Sequence, residues 1–485
     1  MGLVAAWSAS SLVNPGEQAA VWCYIHWQCD TSGDGAVMSI FYPGSTAKPM
    51  RSGRFVSQLT KSTMAIVMAG GRGERLRQLT EHRAKPATPF GGKYRIIDFS
   101  LSNCVNSGIR QILVMTQYKS HSLTQHIQRG WGYLRGELGE FVQLVPAQQK
   151  LGELWYRGTA DCVYQNLDII QAHDPELVLV LAGDHVYKMD YGPMIAFHVA
   201  RAADVTLGMV QVPVNQAHEF GIATLDADQR IVKFSEKPRN PEPMPGRNEV
   251  ALATMGIYVF SVDYLRAALN RDAEDAVSAH DFGKNIIPAA IAASSRVFAY
   301  PFESVETEAQ AYWRDVGTVD AFYAANMELI FVSPELNLYD SEWPIWTYQE
   351  QTPCAKFVLD EDGRRGVAIN SMVAGGCIVS GALVRESLLF FNVTVNERSE
   401  VFRAVILPDV TIGRGCRISR AIVDEGCSIP DGMVIGEDNA LDRRRFHVTE
   451  QGVVLVTQDM LKNCSVSASG PAPTVSPVAQ PHTAG

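Results

Sequence analysis

The residues whose types and spacing could do chemistry begin with Gly70-Gly71-Arg72-Gly73-Glu74-Arg75-Leu76, followed shortly by Arg83-Ala84-Lys85-Pro86-Ala87. A glycine-rich turn after a buried strand lets the backbone approach a phosphate or a base, and a helix opening there adds partial positive charge. Gly70, Gly71 and Gly73 are therefore candidates for holding a nucleotide. The run is not the dinucleotide fingerprint, because Leu76 stands where the third glycine would be, and no Gly-Lys-Ser/Thr follows to make a P-loop. Arg75 and Lys85 give the turn its weight, since cations at that distance can neutralise a triphosphate and stabilise departing pyrophosphate. A single arginine is more often a solvated surface charge; a cluster beside a glycine turn favours function.

Two carboxylates join these cations. Asp184 follows the apolar run LVLVLA (177–182) and Gly183, where a buried strand leaves its sheet. An acid there can bind Mg²⁺ with water and phosphate oxygens as the other ligands; the plainer alternative is a helix N-cap. Asp315, in Tyr312-Trp313-Arg314-Asp315-Val316-Gly317-Thr318, is a second candidate, and the sequence does not show that the two converge. Glu236-Lys237-Pro238 follows the short strand IVKFS (231–235). A lysine fixed before proline can clamp a phosphate and the glutamate can accept from sugar hydroxyls, while a surface ion pair on a loop remains equally open. His121, His126 and His280 do not form HExxH and no serine lies in GxSxG, so hydrolase readings lose ground. Phosphoryl or nucleotidyl transfer fits best, because it needs positioning, cations and a metal instead of a covalent nucleophile.

The elements that must position these groups are legible in the hydrophobic pattern. MAIVMA (64–69), ILVM (112–115), LVLVLA (177–182) and VTLGMV (205–210) read as strands buried on both faces, alternating with helical stretches such as 161–173, and GIYVF (256–260) returns to the sheet. That alternation predicts an α/β domain with an open, mostly parallel sheet whose ligands bind beyond the carboxyl ends of the strands. It should run over 61–330, with a linker at 331–366. From 367 to 463 aliphatic residues recur about every six positions, as at Ile412 and Ile418 or Ile429 and Ile435. Hexapeptide periodicity predicts a parallel β-helix, against the alternative of an irregular β-sandwich. Residues 464–485 are rich in Pro, Ala and Ser and are expected to be a disordered tail.

The chain has 485 residues, a net charge of −10, 46% hydrophobic and 19% charged residues. Such a balance argues against a dominant nucleic-acid or anionic-membrane surface, and no apolar run is long enough to span a bilayer. Its nine cysteines are odd in number and lack a CxxC pair, which suits free thiols in a reducing compartment. Residues 1–60 show no sustained period, and no Lys or Arg precedes Lys48, so neither a secretory signal nor a transit peptide is indicated. Little fixed structure is expected there, and readthrough from a start assigned upstream of Met38 or Met50 is the leading expectation.

Together GGRGERL, RAKPA, FGGKYRIIDFSLSNCVNSGI, TQYKSHSLTQHIQRGW, WYRGTAD, LAGDHVYKMDY, EKP, HDFGKNIIP and YWRDVGT, with the hexapeptide repeats, resemble the bacterial ADP-glucose pyrophosphorylase family from about residue 61 to about residue 463. The resemblance implies a Rossmann-like nucleotidyltransferase domain followed by a left-handed parallel β-helix. It also implies adenylyl transfer from ATP to α-D-glucose 1-phosphate with Mg²⁺, the committed step toward glycogen, in a cytoplasmic homotetramer. Carried over by residue, Arg75 and Lys85 hold the triphosphate and leaving group, Asp184 and Asp315 the metal. Tyr156, Gly221, Glu236, Lys237 and Thr254 line the glucose 1-phosphate site. Thr254 stands where enteric-type members carry serine, and both offer a hydroxyl.

The regulatory pattern departs from the enteric type. His82 replaces the lysine that helps bind fructose 1,6-bisphosphate, Asn392 the effector arginine of the β-helix, and Pro89 and Ala172 the AMP-site histidine and arginine. Arg83 and Arg95 remain as candidates for an anion pocket at the domain junction. Weak activation by fructose 1,6-bisphosphate is expected, with another sugar phosphate or pyruvate preferred. Other classes weighed are a nucleotidyltransferase using UTP or dTTP, a non-catalytic regulatory subunit, and a hexapeptide acyltransferase. The last would need a histidine in the β-helix, and none lies between Val367 and Gly436.

Overall fold

A computed structural model describes residues 24–28, 37–41, 52–71, 73–148, 150, 155–302, 312–361 and 364–468. The chain divides into a unit over Met1–Gln58 and a unit over Leu59–Gly485. In the first, Tyr24–Gln28 and Val37–Phe41 pair antiparallel. The helix Ser52–Lys61 also begins inside the segment where no period was read. The helix Gln458–Ala468 runs into the segment expected as a tail from 464; the rest of that tail and most of the 1–60 segment lie outside the described residues.

The second unit opens on Thr63–Met68, at the centre of a nine-stranded sheet. This strand runs parallel to Leu177–Ala182 on one side and Gln111–Thr116 on the other, which in turn pairs parallel with Phe141–Pro146. Val250–Ser261 closes the far side antiparallel, pairing with Leu177–Ala182, with Val205–Pro213 and with Gly221–Leu225, onto which Ile231–Glu236 folds back. Met64, Ile66, Val178 and Val180 are fully buried, as expected of central strands covered by helices on both faces.

The expected helix over 161–173 is instead two short ones, Thr159–Tyr164 and Leu167–Ala172. Asn166 causes the break. Its amide donates to the Cys162 carbonyl at 2.8 Å and to the Tyr156 hydroxyl at 2.9 Å, competing with the helical ladder.

The C-terminal repeats form a three-sided parallel coil. Val379, Val395, Ile412 and Ile429 stack on one side, Val384, Val401, Ile418 and Ile435 on the second, Leu389, Ile406, Val423 and Val456 on the third. All are buried, and the parallel ladders exclude the sandwich alternative. One corner of successive coils is turned by Asn370, Glu386, Arg403 and Arg420, each with φ near +47°. The coil starts at Lys356–Val358, inside the segment expected as a linker. The rest of that segment is a strap against the helix Ile96–Asn106: Trp343 Nε1 donates to Asn103, Trp346 N to Ser102 Oγ, and Thr347 Oγ1 to the buried Asp98. Phe90, Phe99, Phe322, Leu388, Phe390 and Leu407 then share one apolar cluster between sheet domain and coil.

His198 is buried between Thr206 Oγ1 at 2.9 Å and Ser261 Oγ at 3.1 Å, and burial pulls its pKa down to about 4. The folded chain thus binds fewer protons at this site than the unfolded chain between about pH 4 and 6.5, so stability rises with pH across that window. Acidification from pH 7 should therefore lower the melting temperature through it, and His198→Gln should flatten that slope, measured by thermal melts at each pH.

Candidate active site

The site forms where the central strands end. Met68 leads into the glycine turn and Ala182 into Gly183-Asp184, and Gly183 N donates to Met68 O at 3.0 Å, so the two turns lie side by side. Gly73 takes φ +65°, a left-handed conformation that glycine adopts without steric cost. The element that follows is a seven-residue 3₁₀ helix, Glu74–Thr80, kinked at Arg77, so a long helix dipole does not back the turn. Asp184 is not a helix cap. The next helix, Tyr191–Ala200, is capped by Asp190, which accepts from Gly192 N.

Convergence of the two carboxylates is set by strand pairing. Trp313–Asp315 lies antiparallel to His185–Tyr187 with Asp315 opposite His185. Lys85 Nζ then sits 2.9 Å from Asp184 Oδ2 and 2.7 Å from Asp315 Oδ1. Arg75 Nη2 lies 3.0 Å from Asp315 Oδ2, and its Nη1 lies 2.5 Å from Glu219 Oε2. Burial by itself pushes both aspartates up, but Lys85 and His185 outweigh it and hold both carboxyls below their ordinary values. Burial likewise pulls Lys85 down, and Asp184 and Asp315 more than restore its charge. All four groups are ionised at neutral pH.

The residues expected around a sugar phosphate fall into two sets. Gly221, Glu236 and Thr254 are neighbours. A Cβ on Gly221 would stand 2.7 Å from Glu236 Oε2 and 2.9 Å from Thr254 Cγ2, so only glycine leaves room for that carboxylate. Burial pushes Glu236 up from its ordinary value, partly offset by Lys237. Lys237, at φ +46°, is exposed, and its Nζ is 3.9 Å from Glu236 Oε1. Tyr156 lines a cleft of about 630 Å³ together with Gly70, Gly71, Gly73, Arg75, Lys85 and Asp184, a lining that does not include Gly221, Glu236, Lys237 or Thr254. Several residues there had no assignment from sequence. Gln117 and Asp281 line the cleft, the latter accepting from Thr159 Oγ1 at 3.0 Å, and Glu219 holds Arg75. HDFGKNIIP was a legible motif for Asp281; a half-exposed glutamate ending a short 3₁₀ turn carried no signal.

A second cavity of about 470 Å³ lies between sheet domain, strap and coil, lined by Lys93, Arg95, Arg129, His126, Glu350 and Pro89 among others. Arg83 is not part of its lining. It is buried against the coil, 2.9 Å from Asp424 Oδ1 and 3.3 Å from Glu425 Oε2. Burial pulls the Arg95 pKa below its ordinary value, Glu425 opposes that and the Arg83 charge adds to it, so the two arginines lie near the same glutamate although only Arg95 lines the cavity. Arg95 itself donates to Ala87 O. Asn392 turns a coil corner at φ +61° and donates to Asp409, while His82 is exposed, 3.8 Å from Asp459. Ala172 ends the helix Leu167–Ala172.

Residues 64–330 match the family model for nucleotidyl transferases, and 353–456 match the GlmU-like C-terminal hexapeptide model. The glucose-1-phosphate adenylyltransferase of Methylococcus capsulatus is 63% identical over 410 residues, 84% of this chain and 96% of the relative. That of Nitrosococcus oceani is 60% identical over 410 residues, 84% and 97% of the two chains. The chain belongs to the glucose-1-phosphate adenylyltransferase family. Its members are nucleotidyltransferases, and the fold here is the α/β domain plus hexapeptide coil read from the sequence. Among the described residues, no helix is long and apolar enough to cross a membrane.

Asp184, His185 and Asp315 offer ligand atoms within 4.8 Å of one another. Two ionised carboxylates sharing one ammonium suit a hard divalent cation, with the imidazole less suited to it. Lys85 competes for the same oxygens. Lys85→Met should tighten Mn²⁺ binding by roughly tenfold, and Asp315→Asn should abolish it, read by calorimetry on the protein without nucleotide.

Proposed function

We propose that this chain transfers the adenylyl group of ATP to α-D-glucose 1-phosphate, giving ADP-glucose and pyrophosphate. The carrying observation is Lys85 seated between Asp184 and Asp315 at the mouth of the glycine turn. A phosphate oxygen of the sugar phosphate attacks the α-phosphorus in line. One P–O bond forms as the bond to the bridging oxygen of the β-phosphate breaks, and that oxygen leaves with pyrophosphate. No protein nucleophile is needed, so the chain's work is positioning and charge compensation. Arg75 and Lys85 hold the triphosphate and the leaving group, with Gly70, Gly71 and Gly73 giving backbone access. Asp184 and Asp315 would hold Mg²⁺, which neutralises phosphate charge when bound.

Tyr156, Gly221, Glu236, Lys237 and Thr254 line the glucose 1-phosphate site in this reading. Support comes from Glu236 lying beside Gly221 and Thr254 as a half-buried acceptor for sugar hydroxyls, and from the exposed Lys237 ammonium beside it. The product commits glucose to glycogen, in the cytoplasm, and the working form is a homotetramer regulated by small anions. Arg95, in the cavity with Lys93 and Arg129, and Arg83, which meets Arg95 at Glu425, supply the cations of the anion site in this reading.

Pyrophosphate release measured with glucose 1-phosphate and ATP, UTP or dTTP in turn tests the reading; faster turnover with UTP or dTTP would refute the adenylyl assignment. Asp184→Asn should cut kcat by orders of magnitude with the melting temperature kept. Lys237→Gln should raise the KM for glucose 1-phosphate and leave that for ATP nearly alone; equal effects would refute the clamp. Fructose 1,6-bisphosphate should activate weakly, and strong saturable activation would overturn the regulatory part.

A further inference from the structure

The charged groups of the cleft form one alternating chain: Glu219, Arg75, Asp315, Lys85, Asp184. Its inner four members have roles in adenylyl transfer. The outer one has none, yet it makes the shorter of the two contacts on Arg75, 2.5 Å against 3.0 Å to Asp315. Asp315 is shared with Lys85 and belongs to the carboxylate pair that suits a divalent cation, so Glu219 is the carboxylate that serves Arg75 without a second claim. The arginine side chain is 52% exposed and long, and fixing it costs rotamer entropy that a lone shared partner offsets poorly.

The backbone under Glu219 is well anchored. It ends a short 3₁₀ turn, Ala217–Glu219, whose Ala217 is buried. The ring of Phe220 packs edge-on to Trp313, two residues before Asp315, and the Phe220 carbonyl accepts from Lys237 N at 3.0 Å. Gly221 follows and pairs in register with Glu236. Glu219 therefore reaches Arg75 from a segment packed against the Asp315 strand and hydrogen-bonded to the Glu236-Lys237 turn.

We infer that Glu219 is a positioning residue for Arg75. Its carboxylate holds the Nη1 edge of the guanidinium over the cleft, beside the Asp315 contact on Nη2, so that the cation stays poised for phosphate, and it ties that cation to the strand of the sugar side. The inference rests on the adenylyl-transfer reading for the identity of the phosphate ligand, while its geometry requires only a polyphosphate in the cleft.

Wild type, Glu219→Ala and Glu219→Gln are compared by steady-state pyrophosphate release, by calorimetry with inorganic pyrophosphate in metal-free buffer, and by melting temperature. Glu219→Ala should raise the KM for ATP and the Kd for pyrophosphate by about three- to tenfold, the range for a half-exposed charge-assisted contact. The KM for glucose 1-phosphate should change less than about twofold and the melting temperature should hold. Glu219→Gln, which keeps an acceptor oxygen, should fall between wild type and Glu219→Ala. In an Arg75→Ala background Glu219→Ala should add nothing further, because the two residues act as a unit. Unchanged or tighter ATP and pyrophosphate binding, a parallel rise in both KM values with a lower melting temperature, or additive losses in the double variant would each overturn the proposal. A wild type that releases no pyrophosphate from ATP refutes adenylyl transfer instead, and the calorimetry still reads out Glu219.

Discussion

Lys85 between Asp184 and Asp315 is the constraint on which the site depends. Two carboxylates brought this close would resist joint ionisation, and a shared ammonium at hydrogen-bond distance from both removes that conflict. The same contact joins three separate pieces of chain: the short helix Lys85–Ala87, the turn after Leu177–Ala182, and the strand Trp313–Asp315. Each is held by its own backbone pairing, so the charges are arranged before any ligand arrives. For a transfer reaction without a protein nucleophile, such prior arrangement is the main thing a protein can supply.

The rest of the fold serves that arrangement at increasing distance. Parallel strands place the glycine turn and Asp184 side by side; the antiparallel return through Val250–Ser261 brings Thr254 beside Gly221, on strands that extend the same sheet. The strap at 343–347 fixes the helix Ile96–Asn106, whose Asp98 accepts from His126, Trp131 and Thr347 at once. A fully buried carboxylate with that many donors is satisfied, and it locks three elements together behind the second cavity. Arg83 on Asp424 and Glu425 adds an ionic tie to the coil.

The β-helix shows how periodic apolar spacing becomes architecture. Each inward aliphatic stacks on its counterpart one coil away, and each corner requires a left-handed backbone. Several corners are turned by residues other than glycine, such as Asn392, whose amide bonds Asp409. The asparagine expected from the resemblance to replace an effector arginine is thus a corner residue with a partner on the next coil.

By itself the sequence determined the parts that depend on local composition. Buried strand runs, the glycine turn and the hexapeptide period each leave a pattern within a few residues, and Asp184 could be placed at a strand end because the run before it is so apolar. What only the tertiary structure decided involves distance along the chain. Asp315 meets Asp184 because two short strands 130 positions apart pair in one register. Arg83 and Arg95 both lie near Glu425 of the coil, yet Arg83 is bound to Asp424 and Arg95 lines the cavity. The linker became a strap because Trp343, Trp346 and Thr347 find partners on a helix 240 residues earlier. Charge pairing falls off within a few ångströms, so which cation meets which acid is settled by the fold and leaves no periodic trace in the sequence.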